Sequence, residues 1–302
     1  MINVFISLVN FNGSKDTLEC LNSINDLVLK NIKLSVVVVD NASEEKLDIK
    51  EDLLKNSSLK VIQSYKNLGF SGGHNLAIKY AMENGADYIV VLNNDVILDK
   101  NLIAELIESS EKEGDIISPK IYFAKGFEFH KDRYKDSEKG KVLWYAGGEM
   151  DWNNLIGHHR GVDEVDSGQF NEKEQTDFAS GCCMLVKKEV VEKIGYLDER
   201  YFLYYEDNDY SQRAKNKGFK IFYEPKAFLW HKNAGSVGGS GSTLQDYYIT
   251  RNRLLFGMSY ASLRTKIALF KESINFLLKG RAMQKKGVFD FYLRRFGKGS
   301  YK

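Results

Sequence analysis

The segment Asp87-Tyr-Ile-Val-Val-Leu-Asn-Asn-Asp95 is an apolar run that stops abruptly in three oxygen-bearing side chains. Tyr88 to Leu92 have the β-branched and aromatic content of a strand buried on both faces. In open α/β sheets, ligands sit beyond the carboxyl ends of the strands. A carboxylate at that place, flanked by Asn93 and Asn94, suits a hard divalent cation bridging the phosphates of a nucleotide; Asn-Asn-Asp also suits a plain turn. A second group lies in Tyr196-Leu-Asp-Glu-Arg-Tyr-Phe-Leu-Tyr-Tyr-Glu-Asp-Asn-Asp209, where Glu206, Asp207 and Asp209 follow five aromatic residues. Acids in the first turn of a helix are explained by capping and the macrodipole, worth about 0.3–1 kcal/mol each. An aromatic wall, however, excludes water and raises a carboxylate's pKa toward the range of a general base.

The elements that must hold these groups alternate along the first half. Residues 4–9 form an apolar run, and 17–29 carry helical spacing at Leu18, Leu21, Ile24 and Leu27/Val28. A β-branched run over 34–39 ends in Asp40-Asn41, and a short strand over 60–64 precedes the loop Lys66-Asn-Leu-Gly-Phe-Ser-Gly-Gly73. A helix is predicted over 74–84, closed by Gly85, then the Tyr88 strand, then an amphipathic helix from Asp99 to about Lys112. Strands spaced by helices of this length imply crossover units and a mostly parallel sheet with flanking helices, an α/β fold. Polar residues interrupt the apolar runs at the strand ends, so Asn10, Asp40, Asn67 and Asp95 are expected along one edge. The stretch 122–177, with His130, Trp144, Trp152, His158 and His159, is expected to be a mixed antiparallel or loop-rich insertion shaping an acceptor pocket. His158-His159 makes a poor metal pair, since neighbours in sequence point in different directions. Residues 181–186 are predicted as a strand, 188–194 as a helix ended by Gly195, and Glu206 opens a further helix in which Arg213 pairs with an acid one turn earlier.

With 302 residues, 43% of them hydrophobic, the chain can bury one large core or one core and a small appendage. No run reaches the roughly 18 to 20 apolar residues of a membrane span, and Met1 to Val9 reads as a first strand rather than a signal peptide. Cys20, Cys182 and Cys183 offer neither a spaced metal cluster nor an even disulfide framework, and are expected to be buried free thiols in a reducing cytoplasm. The net charge of +2 conceals an asymmetry: from residue 251 onward 13 Lys or Arg stand against Glu272 and Asp290, while the rest holds 30 basic and 39 acidic residues. An anion-seeking tail is implied. It carries no nucleic-acid-binding motif, and its interleaved Leu, Ile and Phe over 260–278 fit an anionic membrane surface or a lipid pyrophosphate. A basic helix packed on the body, or a dimerisation element, is the alternative.

The chain also resembles a family. It is similar to the inverting family 2 glycosyltransferases of GT-A fold, closest to their rhamnosyltransferase-like branch, over about residues 3–255. The resemblance rests on an ordered series: Val9-Asn-Phe-Asn-Gly13, Val38-Val-Asp-Asn-Ala-Ser43, Asn67-Leu-Gly-Phe-Ser-Gly-Gly-His-Asn75, Leu92-Asn-Asn-Asp-Val96, Gly181-Cys-Cys-Met-Leu185, Glu206-Asp-Asn-Asp-Tyr-Ser-Gln-Arg213, His231 and Tyr248-Ile-Thr-Arg-Asn252. It implies a GT-A catalytic domain over 1–250, with a donor half to about 120 and an acceptor half beyond it, and a basic amphipathic helical segment over 251–302. It further implies that Asn10, Phe11 and Asp40 hold the nucleotide base, with Asn67, Gly69, Asn75 and Asn94 also on the donor, Asn67 and Asn75 near ribose and phosphate. Asp95 and His231 would hold Mg²⁺ or Mn²⁺, with Asn93 and Asn94 where many relatives carry a further Asp. Asp207 would be the base, Glu206, Asp209 and Arg251 orienting or acceptor groups, and Gly235-Ser-Val-Gly-Gly-Ser-Gly241 a lid. The expected activity is transfer of a sugar from a nucleoside-diphosphate donor, such as dTDP-rhamnose or a UDP-hexose, to a glycan or lipid-linked acceptor in surface polysaccharide synthesis. The expected place is the cytoplasmic face of the plasma membrane. A sugar-phosphate nucleotidyltransferase and an inactive glycan-binding scaffold are the competing readings. The first needs a basic Gly-rich first loop that Asn10-Phe-Asn-Gly13 does not supply, and retention of Asp95 and Asp207 argues against the second.

Overall fold

In the computed structural model of the chain, residues 1–50, 52–233 and 242–301 are described. The expected lid at 235–241 lies outside the described residues. The first half comprises β1 (Ile2–Asn10), α1 (Ser14–Ile24), β2 (Ile32–Asp40), β3 (Ser58–Gln63), α2 (Gly69–Glu83) and β4 (Tyr88–Leu92). Then come β5 (Val96–Leu98), α3 (Leu102–Lys112) and β6 (Ile116–Phe123). The insertion supplies β7 (Leu143–Tyr145), β8 (Gly148–Asp151), β9 (Ile156–His159) and β10 (Glu174–Gln175). The second half runs through β11 (Cys183–Lys187), α4 (Lys188–Ile194), α5 (Glu206–Asn216) and β12 (Ile221–His231), and ends in α6 (Thr243–Tyr260), α7 (Leu263–Lys279) and α8 (Ala282–Tyr292).

The main sheet has the order β10-β12-β6-β11-β4-β1-β2-β3, with β5 pairing β12 and β7 pairing β6. β1 lies parallel to both β2 and β4, and β2 to β3. β11 enters antiparallel between β4 and β6, whereas β12 and β6 run parallel. Period-two alternation along the buried strands splits the core into two layers. Val36 and Val38 of β2, with Val90 and Leu92 of β4, face α1 and α3 through Leu21, Ile24, Ile103 and Leu106. Val37, Val39, Ile89 and Val91 face α2, α4 and α5 through Ala77, Ile78, Val190 and Tyr210. Each such side chain contributes about 1.5–3 kcal/mol of burial. A one-residue slip of β2 would exchange its two faces.

Three expected boundaries move. α1 ends at Ile24 instead of near residue 29, because the Asn25 side chain bonds the backbone of Leu53 and Lys55 and the Val28 N–H turns to Lys100 O. α2 begins at Gly69, taking in much of the presumed loop, since its glycines permit close packing. A Cβ at Gly69 (φ +71°) would lie 2.4 Å from Phe202 O, and one at Gly73 would lie 2.9 Å from Val9. The 250/251 boundary falls inside α6, and Leu254, Phe256, Leu269 and Val288 share a core with Leu155 and Tyr201. The C-terminal helices are thus packed onto the body.

Candidate active site

Beyond the end of β4, the Asn93 N–H donates to Cys182 O at the start of β11 (2.8 Å). β12 ends nearby at His231, in register with Val96 of β5, and the Lys232 N–H donates to Asp95 O. This places His231 Nε2 3.1 Å from Asp95 Oδ1, with the Asn93 amide 3.4 Å from the same nitrogen. Residues 136 apart in sequence therefore meet. The spacing suits a hydrogen bond and equally two adjacent ligands of an octahedral cation, about 3.0 Å apart for bonds near 2.1 Å. His231 Nδ1 is buried without a hydrogen-bond partner. Among the described residues no group of three His, Cys, Asp or Glu that could hold a metal ion is found. An Asp–His pair would leave the remaining positions of such a cation to water and substrate phosphate.

The insertion fixes this corner. Trp144 packs edge-on to His231 (4.7 Å between ring centroids) and His159 edge-on to Trp144 (4.3 Å), and His159 Nδ1 lies 3.2 Å from Trp144 O. Burial holds the His159 pKa down at about 4, so it stays neutral. His158 is exposed while His159 faces this cluster, in keeping with the poor prospect of a metal pair. Trp144 and His159 carried no signal in sequence that tied them to His231, since only the fold brings the insertion there.

The edge made by β1 and β2 is more of a scaffold than expected. Asn10 and Asp40 are in register, but both are fully buried. Asn10 donates to Asp40 and Ser43 and accepts from Thr17 and the Gly13 N–H. Burial pushes the Asp40 carboxyl up, but hydrogen bonds from the Ser43 hydroxyl and the backbone N–H groups of Ser43 and Leu47 outweigh it and hold it below its ordinary value. These two polar groups hydrogen-bond within the loop, and Phe11 beside them is 45% exposed. Asn94 donates to Thr17, tying β4 to α1. Asn67 accepts from Asn41 and the Gly69 N–H, and Gly69 owes its identity to the approach of Phe202. Asn75, expected near ribose and phosphate, is buried and bonds Leu197 N–H, Leu197 O and Glu199; it pins the loop before the acidic cluster.

That loop delivers the acids. Asp207 is partly exposed; Oδ2 accepts from the Gly181 N–H (3.0 Å) and Oδ1 from the Asn208 N–H (2.8 Å) and amide. Burial raises its pKa against these hydrogen bonds. Glu206 is buried, Oε2 has no hydrogen-bond partner, and burial together with the neighbouring Asp207 pushes its pKa far up. Asp209 is spent on structure: it accepts from Arg213 (2.8 Å), Tyr201 and Tyr260. Arg251, expected as an orienting or acceptor group, is fully buried; its guanidinium donates to the carbonyls of Arg200, Tyr201 and Gly297. Asn252 beside it donates to Tyr201, Leu203 and Tyr204, each at 2.8 Å. These two residues clamp a backbone that holds Phe202, Tyr204 and Tyr205 left-handed (φ 65°, 69° and 73°) just before α5.

Known proteins with related sequences and folds bear on this arrangement. The chain is 26% identical over 259 residues to the low-salt glycan biosynthesis hexosyltransferase Agl10 of Haloferax volcanii, covering 85% of this chain and 76% of that one. It is 25% identical to the dTDP-rhamnosyl transferase RfbF of Shigella flexneri, over 84% and 79% of the two chains. The fold matches residues 1–349 of TarS from S. aureus, a GT-A protein, with a TM-score of 0.56 at 16% identity, over 96% of this chain and 79% of that one. It also matches GalNAc-T7, solved with UDP, GalNAc and Mn²⁺, with a TM-score of 0.58 at 15% identity, over 92% and 56%. The family model for glycosyl transferase family 2 matches residues 6–195, nearly the whole span from β1 to Gly195, and the chain belongs to that family.

Proposed function

We propose that this glycosyltransferase inverts the anomeric centre and depends on Mg²⁺ or Mn²⁺. It would move a sugar from a dTDP-rhamnose- or UDP-hexose-type donor to a glycan or lipid-linked acceptor at the cytoplasmic face of the plasma membrane. One observation carries the reading. Asp207 is docked by the Gly181 N–H onto the start of β11, whose Cys182 carbonyl holds Asn93, two residues before Asp95. The base and the diphosphate corner are thereby joined through two hydrogen bonds.

Inversion in a single displacement needs one base beside the acceptor hydroxyl. Asp207 takes the hydroxyl proton, and its raised pKa brings it nearer the range where a carboxylate is an effective base. Burial favours the neutral form of Glu206, which lessens the charge beside Asp207. Asp95 and His231 would hold the cation, which offsets the charge of the departing nucleoside diphosphate. Phe11 offers a stacking face to the base.

The test is a panel of UDP-, dTDP- and GDP-sugars screened for thermal stabilisation, since a bound donor raises stability by mass action. Hydrolysis of the stabilising donor then follows, with and without chelator. Hydrolysis should require the cation, and Asp95→Ala should remove nearly all of it. Undiminished turnover of the wild type in chelator defeats the metal-dependent reading.

A further inference from the structure

The outer face of α7 is apolar. Leu263, Ile267, Phe270, Ile274 and Leu278 are 43–75% exposed, and their spacing of three or four residues puts them in one stripe along the helix. The opposite face, through Thr265, Leu269 and Ser273, is the one buried against the body. Arg264 and Lys271 follow the stripe on one side by helical position and Lys266 precedes it on the other. No helix among the described residues is long and apolar enough to cross a membrane, so a stripe of this kind calls for an occupant at the surface.

The charge decides which. Residues 263–298 hold ten Lys or Arg and two acids, Glu272 and Asp290. Glu272 is paired with Arg253 (2.9 Å), and Asp290 is buried under Tyr247 and Ser300. A second copy docked about a twofold axis would bring the same basic rim onto itself with no acid to answer it. An anionic bilayer answers both the stripe and its rim. We infer that α7 lies in the interfacial plane of an anionic membrane, its apolar stripe inserted at the headgroup level and Arg264, Lys266 and Lys271 on lipid phosphates.

The placement has a consequence for the chemistry. Leu269 of α7 packs in one cluster with Leu155 and Tyr201, and Tyr201 begins the clamped loop that leads to Asp207. Docking α7 therefore anchors the acceptor side of the site to the lipid surface. The inference deepens the proposed function and rests on it for the lipid-linked acceptor, but the binding surface itself stands on the stripe and its rim.

The experiment uses the full chain, sedimented with vesicles of phosphatidylcholine alone or with phosphatidylglycerol, at low and high salt. The wild type should bind the mixed vesicles and leave them as salt rises, because screening shortens the attraction to about 10 Å at 0.1 M. Ile267→Gln/Phe270→Gln/Ile274→Gln should lower partitioning by at least about 100-fold. Arg264→Gln/Lys266→Gln/Lys271→Gln should lower it by a similar factor, about fivefold per charge, and weaken the salt dependence. Both sets are on the surface, so circular dichroism and donor hydrolysis should match the wild type. Equal binding of either variant, or of the wild type to neutral vesicles, overturns the inference. So does a wild type that ignores vesicles but forms a dimer that the stripe substitutions dissociate. Vesicle binding as expected without hydrolysis of any donor would leave this surface standing and count against the proposed function alone.

Discussion

Asn252→Ala removes the amide that holds the carbonyls of Tyr201, Leu203 and Tyr204. Tyr201 O keeps Arg251, but Leu203 O and Tyr204 O lose the partner they share in Asn252. Leaving two carbonyls short of partners costs about 1–3 kcal/mol each. The same loop stores left-handed strain at Phe202, Tyr204 and Tyr205, about 1–2 kcal/mol per residue. The two quantities are of similar size, so without the clamp the loop gains by relaxing. Asp207 sits two residues beyond Tyr205 and moves with it. A loss of about 2–4 kcal/mol in unfolding free energy is expected, with kcat for donor hydrolysis down by 10-fold or more, as small misplacements of a base cost up to about 100-fold. Donor affinity should change by less than about threefold, because the residues proposed to hold the donor, Phe11, Asp95 and His231, lie on other elements. Denaturant unfolding, titration of the donor and single-turnover hydrolysis separate the three. Wild-type kcat together with wild-type stability would falsify the clamp.

Three other outcomes are expected. Asp207→Asn keeps shape but loses basicity, so kcat should fall about 100-fold or more with donor affinity intact; an active Asp207→Asn protein names the wrong base. Asp209→Asn should act on folding, since it weakens the part-buried pair with Arg213, a loss of about 1–3 kcal/mol; full stability with no turnover would place Asp209 in the chemistry instead. His74 and His159 are held at about 3 and about 4 by burial, so the unfolded chain takes up protons below about pH 6.5 that the folded chain refuses. Stability should be flat above pH 7 and fall as pH drops from 6.5 toward 4, by about 2 kcal/mol per histidine at pH 5. His159→Phe should remove about half of that slope, and an unchanged slope would show that other groups carry it.

What was legible in the sequence follows the range of the interactions. β2 and β4 were readable because their burial on both faces needs only a local run of Val, Ile and Leu, and α3 because its apolar spacing is periodic. The start of α2 was not, since Gly69, Gly72 and Gly73 read locally as loop while their reason is contact with Phe202, Leu68 and Val9. Asp95, His231 and Asp207 were placed by resemblance to ordered motifs, and the fold brings the first two together. Asn10, Asp40 and Asn75, which the resemblance puts at the donor, also have internal partners that no local pattern announces. Each is buried and spent on backbone or neighbouring side chains, Asn75 on a residue 122 positions away. Only the assembled loops reveal such partners.

The antiparallel entry of β11 is the step that makes a single site from two halves. A sheet built only of crossover units would keep every functional loop on the parallel strands' carboxyl edge, with nothing to fix the acceptor side against it. β11 runs the other way between β4 and β6, so its amino end, Gly181-Cys182, arrives where β4 ends. Cys182 O accepts from the Asn93 N–H, and the Gly181 N–H donates to Asp207. Gly181 also leaves room at this crossing: a Cβ there would meet Phe70 at 3.2 Å and Asp207 Cβ at 3.5 Å. A register slip of one residue in β11 would turn Met184 and Leu185 to the wrong layers and carry the Gly181 N–H away from Asp207. The packing of the two core layers and the spacing of Asp207 from Asp95 are therefore fixed by the same strand.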